Sequence, residues 1–445
     1  MEITVITTIA YFVIMLGIGW WTSRGESAEG FLLGDRNLGT AESVATIVAS
    51  KTGAGFLLVG TAIVMQFGLA VIWFALGQIL GFLIFYFFVP HLRKLSEQNR
   101  LYTIADFYRV KHGEQIAKVV AAVSFTAMVL AFLINLLGGG KVLSVLSGWS
   151  FEVSLSAIFF VILVYILFGG YRAVSRTDFI QYLAIFVILG TLALAFFQDA
   201  IVLPGSFDLF NVPLSQIMGW FLLGLLLPFL ATELWQRVYS AKSTEIAKKS
   251  IIWSSGIYVI SLGFVSVIGI VIASAFPGIE PDTAFVTGLQ GLLPGYLSVV
   301  ASLLFFAAVM SSADTFLFTS SSVLIHDFCS KGKRSSDVTV RRLRLAILFI
   351  GFTVFFLAFF FRDLVELTFL VFAVVAPLGI IALVSWIRPN VRQATLVFSL
   401  VLAEVMVVGG SLFLEQKVLM LVAIAGVLMG LLFVFVFRLV FSSRS

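Results

Sequence analysis

Charge is what this chain has least of: 11% of its 445 residues are Asp, Glu, Lys or Arg, where an ordinary soluble domain carries about 25%. That shortage excludes a soluble enzyme. Cysteine is nearly missing as well, since Cys329 stands alone, so no intramolecular disulfide and no cysteine metal cluster can form. The three histidines, His91, His112 and His326, fall at the polar ends of apolar runs and far apart in sequence. They read as solvated side chains at the inner surface and not as metal ligands. No nucleophile-and-base constellation and no low-complexity tract is present, and the closing "FRLVFSSRS" carries no signalling module.

What the chain has in excess is apolar sequence: 60% of it is hydrophobic, with a mean hydropathy of +1.11. Apolar blocks of about 20 residues recur along the whole length, and a hydrocarbon core of about 30 Å needs that many helical residues to cross it. Cutting at polar, Gly and Pro punctuation predicts about thirteen transmembrane helices, centred near residues 12, 52, 77, 128, 160, 187, 224, 262, 308, 351, 374, 404 and 429. The opening "MEITVITTIAYFVIMLGIGWW" has no basic residue ahead of its apolar run and no small-residue cleavage site after it, so it reads as an uncleaved first span. With the N-terminus outside and the C-terminus inside, all but four of the 28 Lys and Arg fall on the inner side or its loops. The four are Lys51 and Lys141, within or beside spans, and Arg362 and Lys417, in outside loops. So lopsided a distribution fits the positive-inside rule. It also explains the net charge of +5, and the basic run "KGKRSSDVTVRRLR" (331–344) is then an inside loop rather than a nucleic-acid patch. Residues 93–118 and 236–249 read as short surface helices on that side. One all-α polytopic membrane domain, with no catalytic module, has the make-up of a protein that moves something across the bilayer.

Within the spans, the few polar residues mark candidate sites. In "VASKTGAGFLLVG" (48–60) Lys51 stands in an otherwise apolar segment, followed by Gly53 and Gly55. A lysine at mid-span costs at least about 3 kcal/mol and is rarely kept without a partner or a task. The glycines predict a broken helix, because their freed backbone groups are tolerated only against protein or a water cavity. They also permit close helix packing. In "AAVMSSADTFLFTSSS" (307–322), Ser311, Ser312, Asp314 and Thr315 crowd one turn. Hydroxyls with bare carbonyls make an oxygen-only cage suited to an alkali cation, though serines also serve as interhelical hydrogen-bonding groups. Asp178, in "FGGYRAVSRTDFIQ", opens the sixth span after an inside loop. Glu404, mid-span in "VLAEVMVVGG", can pair with Lys51, take up a proton or face a neighbouring subunit.

Taken in order, "SAEGFLLGDRNLG", "TIADFYRVKHG", "FGGYRAVSRTDFIQ", "LWQRVYSAKS" and "SSADT" resemble the motifs of the sodium/solute symporter family, which includes sodium/glucose, sodium/proline and sialic acid transporters. The resemblance implies a LeuT-like inverted-repeat core of ten helices. An extra N-terminal helix would occupy 1–25, the first five-helix repeat 40–200, its inverted partner 210–388, and two C-terminal helices 393–445. It implies a sodium site of the Ala49, Thr52 and Ala308 carbonyls with the Ser311 and Ser312 hydroxyls, and places Asp178 at an inner cation position or release path. Solute would bind beside the broken second and seventh spans, among Lys51, Gly53, Gly55, Phe56, Trp220 and Gly224. Lys51 departs from the family pattern. A fixed ammonium about 6 Å from sodium would repel it by roughly 3 kcal/mol at an effective dielectric of 20. Its head can bind an anionic solute while the oxygens hold sodium, it can give up its proton and act as a proton carrier, or it can stand in the cation position permanently. The implied activity is sodium-coupled uptake of a small organic solute, with a carboxylate-bearing one favoured by Lys51. A proton-coupled or sodium-independent carrier and a non-transporting solute sensor are the alternatives. The location implied is a bacterial or archaeal plasma membrane, as monomer or homodimer.

Overall fold

The computed structural model describes residues 28–198, 208–281, 283–293, 295–330, 340–361, 363–414 and 416–441, with a few positions between 6 and 17. Most of the expected first span and most of the basic loop at 331–344 lie outside the described residues. Among the described residues every regular element is helical. In chain order they are α1 (Ala28–Leu33), α2 (Thr40–Ala49), a π turn (Gly55–Val59) leading into α3 (Gly60–Phe67), α4 (Ile72–Asn99), α5 (Ile104–His112), α6 (Glu114–Ser147) and α7 (Phe151–Gln198). The second half comprises α8 (Leu214–Leu230), α9 (Thr232–Ser240), α10 (Thr244–Ala275), α11 (Ala284–Leu292), α12 (Gly295–Val323) with a π turn (Leu324–Cys329), α13 (Val340–Leu357), α14 (Leu364–Ile387), α15 (Gln393–Ser411) and α16 (Gln416–Phe441). Six stretches among the described residues are long and apolar enough to cross a membrane, seven when the bent pair α8 and α9 counts as one.

Lipid offers helices no hydrophobic drive toward each other, so close backbone packing has to hold the bundle. The most extensive contact joins α4 and α8, and glycine makes it possible. A Cβ on Gly77 would sit 2.0 Å from the Phe221 carbonyl oxygen, one on Gly81 2.3 Å from that of Leu225, and one on Gly224 2.2 Å from that of Phe74. Here the two backbones touch directly.

Three segments differ from their sequence expectation. Residues 93–118, read as surface helices, close α4, form α5 and open α6, with 101–108 buried throughout. The stretch at 168–181, read as a loop between two spans, is helical within the 48 residues of α7. Two of its polar groups face protein: the Tyr171 hydroxyl lies 2.7 Å from Ser240 Oγ, and the fully buried Asp178 accepts from Thr46 and Ser311. Likewise α9, at the start of the supposed surface helix at 236–249, is buried along its whole length. There Arg93 of α4 donates to the Tyr239 carbonyl at 2.9 Å.

The π turn that ends α12 is tied to α5 by charge. Thr103 caps α5, and the Asp106 carboxylate accepts from the Tyr102 amide at 2.8 Å. His326 Nε2 lies 2.9 Å from the same carboxylate, while Arg109 pairs with Asp106, with Asp327 at 2.9 Å and with Glu114 at 2.9 Å. His326, read from sequence as solvated, is only 2% exposed, because the fold brings it onto a carboxylate 220 residues away. Asp106, His326 and Asp327 are close enough to share an ion, but the Arg109 guanidinium already contacts both carboxylates. Burial opposes ionisation of Asp106, and His326, Arg109 and the Tyr102 amide outweigh it, holding its pKa below the ordinary 3.8. A depressed folded pKa contributes stability above the unfolded value that is lost as pH falls through the folded one. Melting temperature will therefore fall below about pH 4. Asp106→Asn will lower it at neutral pH and flatten that acid limb, which thermal unfolding in detergent across pH 3 to 7 measures.

Candidate solute and cation site

Helix α2 stops at Ala49, and the chain turns through 50–54 before resuming at Gly55. The Lys51 and Thr52 amides donate to Val48 and Ala49 at 3.0 and 3.2 Å, closing short turns. The Ala54 amide leaves the backbone ladder altogether and donates to Asn135 Oδ1 of α6 at 2.9 Å. At Gly53 any side chain would collide: a Cβ would lie 2.3 Å from Ser312 Oγ and 2.4 Å from Asn135 Oδ1. Glycine here allows the broken segment to press against α6 and α12 together. Asn135, within the apolar run "FLINLL", was not singled out from sequence; an amide in such a run was the available signal.

A second break faces the first. Pro228 lacks the N–H that would have bonded the Gly224 carbonyl, and at Ala231 the backbone extends to φ −79° and ψ 92°. Helices α8 and α9 are bent there by 41°. Glu233, in the first turn of α9, reaches across to Lys51. The Nζ to Oε1 distance is 2.6 Å, with the two side chains 9% and 4% exposed. Lys51 is therefore paired with Glu233, not with Glu404, and the pair joins the two breaks. Glu404 lies on α15, where its Oε1 has no hydrogen-bond partner among the described residues.

Between the breaks lies a cavity of about 210 Å³, lined among others by Ser50, Lys51, Gly53, Gly55, Phe56, Asn135, Trp220, Glu233, Tyr258 and Ser312. Trp220 closes one side against Phe67, ring centroids 5.3 Å apart. Gly224 does not line it; the need for backbone contact with α4 turns that residue into the helix crossing.

The proposed cation residues cluster at the same place. Ser312 Oγ donates toward the Ser50 carbonyl at 3.1 Å and the Ala49 carbonyl at 3.4 Å, and Thr52 Oγ1 lies 3.2 Å from the Ala49 oxygen. Ala308, one turn earlier on α12, is fully buried, as is Asp314. Ser311 turns the other way and donates to Asp178, which also accepts from Thr46 of α2. Nearby, Arg237 donates to Thr315 Oγ1 at 2.8 Å and to the Glu233 carbonyl at 3.2 Å. The groups that Ser312 contacts in the broken helix are carbonyl oxygens, ligands that suit a small hard cation.

Two interrupted helices facing each other across a cavity, with an ion pair joining the breaks and a serine hydroxyl on the carbonyls of one of them, define a membrane transporter rather than an enzyme. The chain belongs to the sodium:solute symporter family, whose model matches residues 31–200 and 194–388. It is similar to the osmoregulated proline transporter OpuE of Bacillus subtilis, 26% identical over 381 residues, covering 78% of this chain and 76% of that one. It also resembles sodium/proline symporter 2 of Staphylococcus saprophyticus, 29% identical over 354 residues, 73% and 68% of the two chains. In three dimensions it matches the substrate-bound, outward-open state of a Na+-coupled sialic acid symporter with a TM-score of 0.79, 16% identity and 97% and 98% coverage. Mhp1, a nucleobase-cation-symport-1 family transporter in a closed conformation, matches with a TM-score of 0.59, 12% identity and 90% and 92% coverage. The fold is LeuT-like, and the protein is a multi-pass plasma-membrane protein.

Proposed function

We propose that this protein couples the entry of sodium to uptake of a small organic solute by alternating access, and that proline is the first solute to test. The observation that carries the reading is Ser312, whose hydroxyl rests on the Ala49 and Ser50 carbonyls of the broken helix at the wall of the cavity. Sodium in that position would take those oxygens, with the carbonyls of Thr52 and Ala308. Ser311 and Asp178 would offer the next oxygens along an inner path. Repeats at 40–200 and 210–388 would rock about this point.

Lys51 no longer argues against sodium. Its charge is matched by Glu233 at 2.6 Å, so the repulsion of roughly 3 kcal/mol from an isolated ammonium is offset by a nearby carboxylate. The names of the relatives favour proline. A tenfold sodium gradient supplies about 1.4 kcal/mol and 100 mV about 2.3 kcal/mol per charge, enough together to accumulate a net-neutral solute several hundredfold.

Ser312→Ala tests the reading. A hydrogen-bonding or ligating oxygen facing a charge is worth about 1.5–3 kcal/mol, so the sodium concentration for half-maximal uptake will rise about 10- to 100-fold with little change in melting temperature. An unchanged sodium dependence in reconstituted vesicles would remove Ser312 from the cation site.

A further inference from the structure

We propose that Lys51 and Glu233 recognise the two charged ends of a zwitterion, a small α-amino or imino acid, by opening their own ion pair around it. The inference rests on the reading of the cavity as the solute site. Both side chains line that cavity and are almost closed off from water. Each comes from the break of a different helix, so the pair can widen as the breaks move without unwinding either helix. Aromatic side chains also line the cavity: Phe56 and Tyr258, ring centroids 4.9 Å apart, with Trp220 and Phe316.

Charge conservation then selects the solute. A zwitterion exchanges one buried ion pair for two: its carboxylate takes the Lys51 ammonium, and its ammonium or iminium takes the Glu233 carboxylate. A monoanion would leave Glu233 buried and unpaired, and a monocation would leave Lys51 so, both strongly unfavourable for side chains this buried. A neutral solute gains nothing from the pair, which stays shut across its path. Arg237 does not compete, since its guanidinium is engaged by Thr315 and the Glu233 backbone. The volume of about 210 Å³ admits a small side chain or a five-membered ring and is below the range of drug-sized pockets.

The test is thermal stabilisation of the purified full-length protein in saturating sodium. The probes are the L-amino acids including proline, with prolinamide (cation), tetrahydrofuran-2-carboxylate (anion) and 2-pyrrolidinone (neutral). Zwitterions alone will stabilise the native protein. Glu233→Gln will weaken proline about tenfold or more while admitting tetrahydrofuran-2-carboxylate, and Lys51→Gln will do the converse with prolinamide. If either single variant fails to fold, the swap Lys51→Glu with Glu233→Lys keeps the pair and will keep zwitterion selectivity. Binding of neutral or singly charged probes as tightly as proline by the native protein overturns the inference. So does the absence of binding by every amino acid, or a charge preference that the folded variants leave unmoved. The same samples without sodium report on coupling: zwitterion selectivity with no sodium dependence would sustain this inference while striking the sodium-coupled reading.

Discussion

Lys51→Gln will abolish solute uptake and destabilise the protein by about 3–5 kcal/mol, the order found when one partner of a buried pair is removed. The reason is Glu233. With its side chain 4% exposed and its 2.6 Å partner gone, its carboxylate must stay charged without a counterion or take a proton. The double variant Lys51→Met, Glu233→Leu removes both charges, and replacing both members of a buried pair by apolar residues of similar volume is often neutral for stability. It will therefore recover most of the lost melting temperature and none of the uptake. That split separates the pair's part in holding the two breaks together from its part in transport. Thermal unfolding and vesicle uptake on the native protein and these two variants measure it, and full uptake by the double variant would remove the pair from the transport path.

Gly224→Val will prevent accumulation of folded protein. A Cβ there would stand 2.2 Å from the Phe74 carbonyl oxygen and 2.6 Å from the Gln78 amide nitrogen. Both are backbone atoms, so no rotamer change relieves the clash and α4 and α8 must separate along their most extensive contact. Such a displacement belongs with the few substitutions that exceed about 4 kcal/mol. Gly256, with nothing within 4 Å of its Cβ position, is the control: Gly256→Ala will accumulate as the native chain does. Membrane yield and size-exclusion profile read both, and a monodisperse Gly224→Val protein would refute the close crossing.

Much of the site could be read from the chain because membranes make polarity conspicuous. Lys51 in an apolar run, with Gly53 and Gly55 beside it, announced both a charge needing a partner and a helix unable to continue. Ser311 and Ser312 announced oxygen donors. The partner was harder to see. Glu233, in "LATELWQR", sits where an apolar run gives way to polar residues, so it looks like the edge of a span until Ala231 is seen to break the helix within the protein. Its match with Lys51 spans 182 residues, and nothing local encodes that. Gly224 shows the limit from the other side. Glycine near a proline in a span implies a break or a close approach, and only the position of α4 decides which. His326 failed for the same reason, since the carboxylate that buries it belongs to a different segment of the chain.

The most direct test of the account is proline accumulation by the purified protein in sealed proteoliposomes, with an imposed inward sodium gradient compared against potassium or choline gradients of equal size. The account predicts transient accumulation above the outside concentration with sodium only, enlarged when the interior is made negative because one net positive charge enters with each sodium and zwitterion. Equal proline entry under all three gradients, with no accumulation and no response to potential, would contradict it.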